Sequence, residues 1–504
     1  MNASQPLIRT RLSGMMFLQF LLWASWYVPI GGYMNGKLGF SGAQMGWIYA
    51  TTALGAMISP MLVGVIADRF FATERVLAVL HLVGGLCLLW SSQQTSFAPL
   101  MALLLVNAIC FMPTLALVNS LSFRNIDDPD RFSRIAVWGT VGWIVSGLMV
   151  DFVLGGATSN KFFFLAGGGG IAMAVYSLTL PHTPPKGRAE ASEDPLGLRA
   201  LALLKDPSFL VFAVCALLIS IPLTFHFTWT NAFLGETDRP KPTALMTLCQ
   251  CSEIVVMIVM PWFIGRIGLK NVLVVGMAAW AVRYVCFATL SFPLILLGLL
   301  VHGFCYCFVF VASFIYVSKK APAEMSASAQ SLVALLMWGI GMFFGTQLSG
   351  FTGGQYPPPV TIAATQGEQV KTGQALPVWV GVETKEVAAA EKKESIATKV
   401  GIAPAIGRAD AKDVVIDRAQ EELPEAGLTI GGLTYAKIDL LEALQKADTD
   451  ESGAVTREEW QVARSHNWPP IWLWPAGLAA VVCLLFFGGS RDVPRTAEGE
   501  SQPA

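Results

Sequence analysis

Long apolar stretches recur along this chain, each closed by a short polar segment. Twelve can be drawn between Met15 and about Gly489: 13–35, 44–66, 75–92, 97–119, 135–156, 161–180, 208–234, 243–264, 270–290, 293–317, 325–351 and 470–489. Most reach the ~20 residues a helix needs to cross a bilayer. The pattern predicts an all-α polytopic membrane protein with twelve spans. The first span follows Arg9 and Arg11 and has no clear small-residue cleavage site before Trp23 to Trp26. It reads as a retained helix rather than a signal peptide.

The polar segments set the domain plan. Residues 182–207 contain Pro184, Pro185, Lys186 and Arg188 and divide the chain into six spans plus six. The plan is a bundle over 1–181, a central loop over 182–207, spans 7 to 11 over 208–351, an insert over 352–469, span 12 over 470–489 and a tail over 490–504. Basic residues alternate between the two sides. Arg9, Arg11, Arg69, Arg75, Arg124, Arg131 and Arg134 lie on one side of the first bundle; Lys37 and Lys161 lie on the other. The second half continues this bias, with only Arg239 and Lys241 in its opposite short loop. The excess of positive charge predicts that both termini and the central loop are cytoplasmic and that the insert lies outside.

Composition adds exclusions. The chain is 54% hydrophobic and only 14% charged, with a net charge of -1, so nucleic-acid partners are not expected. All nine Cys fall within apolar stretches, and none in the insert, so no disulfide framework is expected there. No nucleotide-binding loop is found, which argues against an ATP-driven pump, and no covalent chemistry is implied, so an enzyme is not expected.

The insert ends in a sharper pattern. Asp448, Asp450, Ser452, the Ala454 carbonyl, Thr456 and Glu459 occupy positions 1, 3, 5, 7, 9 and 12 of an EF-hand loop, with Gly453 at the sharp turn and Val455 at the apolar eighth position. Amphipathic stretches 435–447 and 457–466 flank it. Calcium takes six to eight oxygens, and these residues supply them. The alternative is a degenerate loop serving as a surface turn. No second loop is found in the sequence. Residues 352 to about 425 read as short strands, turns or irregular chain without a placed fold.

Ionisable groups in spans are costly and point to function. Glu253 lies near the middle of span 8, with Gln250 three residues earlier on the same face. The carboxylate can bond a polar solute, carry a coupling proton, or do both; the bland alternative is a structural partner for another helix. Gln19, Trp23 and Trp26 share a face of span 1; Trp138, Thr140 and Trp143 lie on span 5; His302 and Tyr306 share a face of span 10; His226 lies on span 7. Aromatic faces stack on planar ligands, although such stripes are more often packing. Arg283 and His81 read as structural.

These residues carry a family likeness. Gly64, Asp68 and Arg69 after span 2, and Gly265, Arg266 and Lys270 after span 8, resemble the gating loops of the major facilitator superfamily. Phe17 to Trp26, Met112 to Thr114, Val137 to Gly142, Leu180 to His182, Gln250 to Glu253, Gly268 to Asn271 and Ala327 to Gln330 resemble the bacterial nucleoside:proton symporters. The resemblance covers both halves and omits 352–469. It implies two six-helix bundles around a cavity, in the cytoplasmic (inner) membrane of a bacterium, with a proton gradient driving uptake. Gln250, Glu253 and Thr140 match the family's solute-contacting positions. The family's Arg on span 5 falls on Ala136, its Gln and Asn on span 7 on about Thr224 and Phe227, its Asp on span 10 on Cys307, and the nearby Tyr on His302.

The expectation is a proton-coupled symporter for nucleosides or a related polar molecule, functional as a monomer in the lipid bilayer. Glu253 is expected to anchor the solute and carry the proton; Gln250, Thr140, His302 and Gln19 to bond the solute; and Trp138, Trp143 and Tyr306 to wall it. Transport needs no cofactor; calcium is the ion expected in the insert. The alternatives are a non-transporting sensor on the same scaffold and a carrier of another solute, such as a sugar.

Overall fold

Backbone amides in lipid find no water, so an apolar run must close its own hydrogen bonds as helix. The computed structural model of the protein describes residues 5–59, 71–126, 132–185, 198–322, 325–366, 369–377, 381–389, 392–400, 402–405, 413–430 and 433–490. Its first half contains α1 (Gln5–Tyr27), α2 (Gly42–Ser59), α3 (Thr73–Ser91), α4 (Phe97–Asn125), α5 (Phe132–Phe152) and α6 (Lys161–Ser177). The second contains α7 (Pro207–Glu236), α8 (Pro242–Ile267), α9 (Leu269–Ala288), α10 (Phe292–Lys320) and α11 (Ser326–Gln355). Among the described residues, nine helices are long and apolar enough to cross a membrane: α3, α4, α5, α7 to α11, and the last helix, Trp468–Gly489. Gly64, Asp68 and Arg69 lie outside the described residues.

Helices meet where glycine removes a side chain. A Cβ on Gly142 of α5 would stand 2.3 Å from the Phe17 carbonyl of α1, and one on Gly42 of α2 would stand 2.2 Å from the Gly350 carbonyl of α11. The second contact joins the two halves of the chain. Asp151 also joins them. Lys241, just before α8, sits at φ 53 and gives no side-chain cap. The cap comes from α5 instead, where Asp151 Oδ2 accepts from Ala244 N at 2.7 Å.

The insert folds around its own core, which includes Ile362, Leu433, Leu440, Leu444, Val455 and Trp460. Its strands are β1 (Thr361–Gln366), β2 (Gln369–Ala375), β3 (Gly381–Ala389), β4 (Lys392–Val400), β5 (Asp413–Val415), β6 (Leu428–Ile430), β7 (Leu433–Tyr435) and β8 (Ala454–Thr456). One sheet runs in the order β2-β1-β7-β6, and β3-β4 and β5-β8 form separate pairs. Helices α12 (Ile416–Glu422), α13 (Lys437–Ala447) and α14 (Arg457–Arg464) complete it, and α15 (Trp468–Gly489) returns the chain to the bundle. The ends of the insert adjoin: Asn467 N donates to Tyr356 O at 3.3 Å.

Candidate functional site

Four buried or half-buried polar groups of the second half, His226, Cys249, His302 and Glu253, gather around one cation. Arg283 of α9 is fully buried, with its guanidinium over the rings of Trp280, Tyr284 and Phe287 at 5.5, 5.7 and 5.1 Å. It donates to His302 Nδ1 of α10, to His226 Nδ1 of α7 at 2.8 Å and to Cys249 Sγ of α8 at 3.9 Å. Beyond His302, its Nε2 stands 3.2 Å from Glu253 Oε1. A guanidinium, an imidazole ring and a carboxyl group therefore form one chain across three helices. His226, Cys249 and His302 offer ligand-type atoms within 4.8 Å of one another. Because the guanidinium bonds all three, it occupies the place a metal would need.

α10 departs from α-geometry beside this chain. Cys307–Val311 forms a π-turn, and Cys307 Sγ donates to the Glu253 carbonyl at 3.5 Å. π-Turns often mark functional positions in helices. Tyr306 stacks on His302 with centroids 6.2 Å apart.

A small cavity opens next to the cluster, between the halves. Val28, Trp143, Gly147, His226, Phe227, Thr247 and Gln250 are among its lining residues. Aromatic rings continue from it: Phe227 lies 4.9 Å from Tyr27, and Trp23 lies 5.3 Å from Trp143. Along α1, Gln19, Trp23 and Tyr27 recur every four residues. Gln19 Nε2 donates to Thr114 Oγ1 at 2.7 Å, while Gln19 Oε1 and Trp23 Nε1 are buried without a partner among the described residues. Buried orphans are rare in native structures and invite a ligand or water.

The structure brings together most, but not all, of the residues singled out in the sequence. Gln250 and Trp143 line the cavity; Glu253, His302 and Tyr306 stand in the adjoining cluster. Thr140 is half-buried one turn before Trp143. Trp138 is not part of the aromatic wall. At ~100° per residue, it points almost opposite to Thr140, and it is 46% exposed. Of the α8 loop residues, Gly265 and Arg266 are exposed, and Lys270 Nζ donates to Ser490 O at 2.7 Å, at the end of α15. Arg283, read as structural in the sequence, is the hub of the cluster. Phe227 and Tyr27 join the wall although isolated aromatics in apolar helices carry no period that separates wall from packing.

At the end carrying the insert, Glu236 links three parts of the chain. Its carboxylate accepts from Asn35 Nδ2 at 2.5 Å and from His466 N at 2.9 Å, and the His466 ring lies 3.0 Å away. Arg457 and Arg464 of α14 reach Asp238 at 3.3 and 3.7 Å.

Residues 448–459 form a tight turn that brings three acidic side chains together. Gly453 has φ 79, and the carboxylate oxygens of Asp448, Asp450 and Glu459 lie within 4.8 Å of one another. Asp448 accepts from Ser452 N and Gly453 N at 3.0 and 2.9 Å. Glu459 accepts from Thr449 N and Thr456 N at 3.1 and 2.9 Å, and these bonds hold its carboxyl well down, at about 2. Val455, at the eighth position, pairs with Val414 of β5, and α12 follows β5.

Comparison with known proteins decides the family. The family model described as "Nucleoside H+ symporter" matches residues 7–361. The chain belongs to the nucleoside H+ symporter family. It is 42% identical to "Putative nucleoside transporter YegT" of Escherichia coli (strain K12), over 68% of this chain and 83% of that one. It is 33% identical to "Xanthosine permease" of the same organism, over 68% of this chain and 87% of that one. A crystal structure of a mutant of nucleoside transporter NupG superposes with a TM-score of 0.66 at 28% identity, over 69% of this chain and 92% of that one. This family member is a multi-pass membrane transporter with a major-facilitator-type fold. The family match stops at residue 361, so most of the insert lies beyond it.

Proposed function

We propose that the protein is a proton-coupled symporter that imports nucleosides by alternating access. The supporting observation is the Arg283–His302–Glu253 chain beside a cavity lined by Gln250, Trp143 and Phe227. In this reading Glu253 anchors the solute and carries the proton. Gln250, Thr140, His226 and the unpartnered atoms of Gln19 and Trp23 bond the solute, and Trp143, Phe227 and Tyr306 wall it. The names of the relatives, a nucleoside transporter and a xanthosine permease, favour a nucleoside. Twelve helices span the inner membrane as two six-helix bundles in a monomer, with both termini inside and the insert outside. Contacts between the halves through Gly42, Asp151 and Glu236 gather at the insert's end, as in a carrier closed to the outside. Calcium suits the all-oxygen donor set of Asp448, Asp450, Ser452, Ala454, Thr456 and Glu459, where it would stiffen the insert.

The test is uptake of labelled uridine and adenosine into proteoliposomes, with and without an inward proton gradient. Wild type should accumulate solute only with the gradient, and Glu253→Gln should not. Correctly folded wild type that takes up neither solute would reject the nucleoside reading.

A further inference from the structure

A guanidinium only donates hydrogen bonds. Both ring atoms that Arg283 reaches, His302 Nδ1 and His226 Nδ1, must therefore be free of hydrogen and act as acceptors. Thr230 Oγ1, 3.2 Å from the same His226 atom, can add a second donor. Each neutral ring then carries its hydrogen on Nε2. For His302 that N–H faces Glu253 Oε1 at 3.2 Å. For His226, a lining residue of the cavity, the ring N–H is likewise on Nε2.

We infer that Arg283 is the positioning residue of the transport site: it sets the tautomer of both histidines, so that His302 presents an N–H to Glu253 and His226 presents an N–H to the solute. This rests on the reading above that Glu253 carries the proton and that the cavity takes the solute. It also narrows the solute class. A donor fixed beside Gln250 selects a solute with an outward hydrogen-bond acceptor, such as a ring nitrogen or a carbonyl, because a buried donor left unpaired is penalised. The charge arrangement has a consequence for coupling. Arg283 balances Glu253 only while that carboxylate is ionised, and neither ring can take a second proton while its Nδ1 accepts from the cation. The proton thus has the carboxylate as its place. The other titratable groups facing the cluster are the thiols of Cys249, Cys305 and Cys307 and the phenols of Tyr284 and Tyr306.

The test is nitrogen NMR of the histidine-labelled full-length protein in lipid bilayers, across a pH series, with His226→Gln and His302→Gln to assign the signals. Wild type should show both rings neutral, with hydrogen on Nε2, from mildly acidic to mildly basic pH. In Arg283→Gln both should titrate or mix tautomers. In solute exchange without a gradient, Arg283→Gln and His302→Gln should each shift the pH profile to higher pH by ~1 unit or more, because each removes a group that favours ionised Glu253, and the double variant should shift it by less than the sum. A wild-type ring with hydrogen on Nδ1, or a charged ring at neutral pH, overturns the inference. So does a folded Arg283→Gln with unchanged spectra and profile. If that variant fails to fold, the wild-type spectrum decides alone. Wild type that shows both Nε2–H rings but no uridine or adenosine uptake would sink the nucleoside reading and support this one.

Discussion

Single residues carry separable jobs here. Trp143 faces the cavity and touches Trp23. Stacking of a base on an aromatic ring is worth ~1–3 kcal/mol, so Trp143→Ala should weaken nucleoside binding roughly 5- to 150-fold, seen as a raised KM at near-constant kcat. Trp138→Ala, on the opposite face, should leave KM within about twofold; an equal loss would return Trp138 to the wall. Glu459 gives a pH prediction. Its folded value of about 2 lies below the ~4.3 of a free glutamate. Its contribution to the insert's stability is therefore present above ~4.3 and is lost as pH falls through about 2. Glu459→Gln should flatten the acid unfolding curve of the insert over that window. An unchanged curve would show that these bonds contribute nothing.

At the scale of elements, the two halves are tied by a cap that crosses between them. Asp151 of α5 supplies the N-cap that α8 lacks. Loss of an N-cap costs ~0.5–2 kcal/mol; because this cap crosses between the halves, Asp151→Ala should favour opening at the insert's end. A cysteine placed at Val28 should then react faster with an impermeant thiol reagent applied from that side, by up to ~30-fold. Unchanged reactivity would mean that the cap does not hold the closed state. The calcium loop offers a second element-scale test. Ligand at about a hundred times its dissociation constant stabilises a fold by ~2.7 kcal/mol, so calcium should raise the insert's melting temperature, and Asp448→Ala should abolish that rise. No rise at millimolar calcium would leave the loop as a surface turn. Much of this was legible beforehand. The loop's ligand spacing, the helix positions and the Gln250–Glu253 face all lie within single segments. The capping carboxylates were not, because Asp151 looks like the end of one span, and only its approach to Ala244 shows what it does.

For the whole molecule, the insert behaves as an addition. It has its own core, and Tyr356 and Asn467 are hydrogen-bonded where it leaves and rejoins the bundle. Replacing 357–466 by a short glycine linker should leave a folded carrier. Uptake should persist, with opening at that end made easier by the loss of His466 from Glu236. Failure of the shortened protein to fold, judged by thermal unfolding in detergent, would show instead that the insert is part of the carrier's framework.

The sequence by itself determined what depends on neighbours along the chain. Apolar length dictated helices because lipid leaves the backbone no other way to bond, loop charge dictated the expected orientation, and twelve consecutive residues spelled a calcium-type turn. Only the tertiary structure decided what depends on helices meeting. It surrounded Arg283 with His226, Cys249 and His302 and linked it through His302 to Glu253, paired Val414 with Val455, and turned Trp138 away while bringing in Phe227. The reason is physical. A buried charge is tolerated only where partners from other helices converge on it, and the chain does not announce, residue by residue, which partners those are.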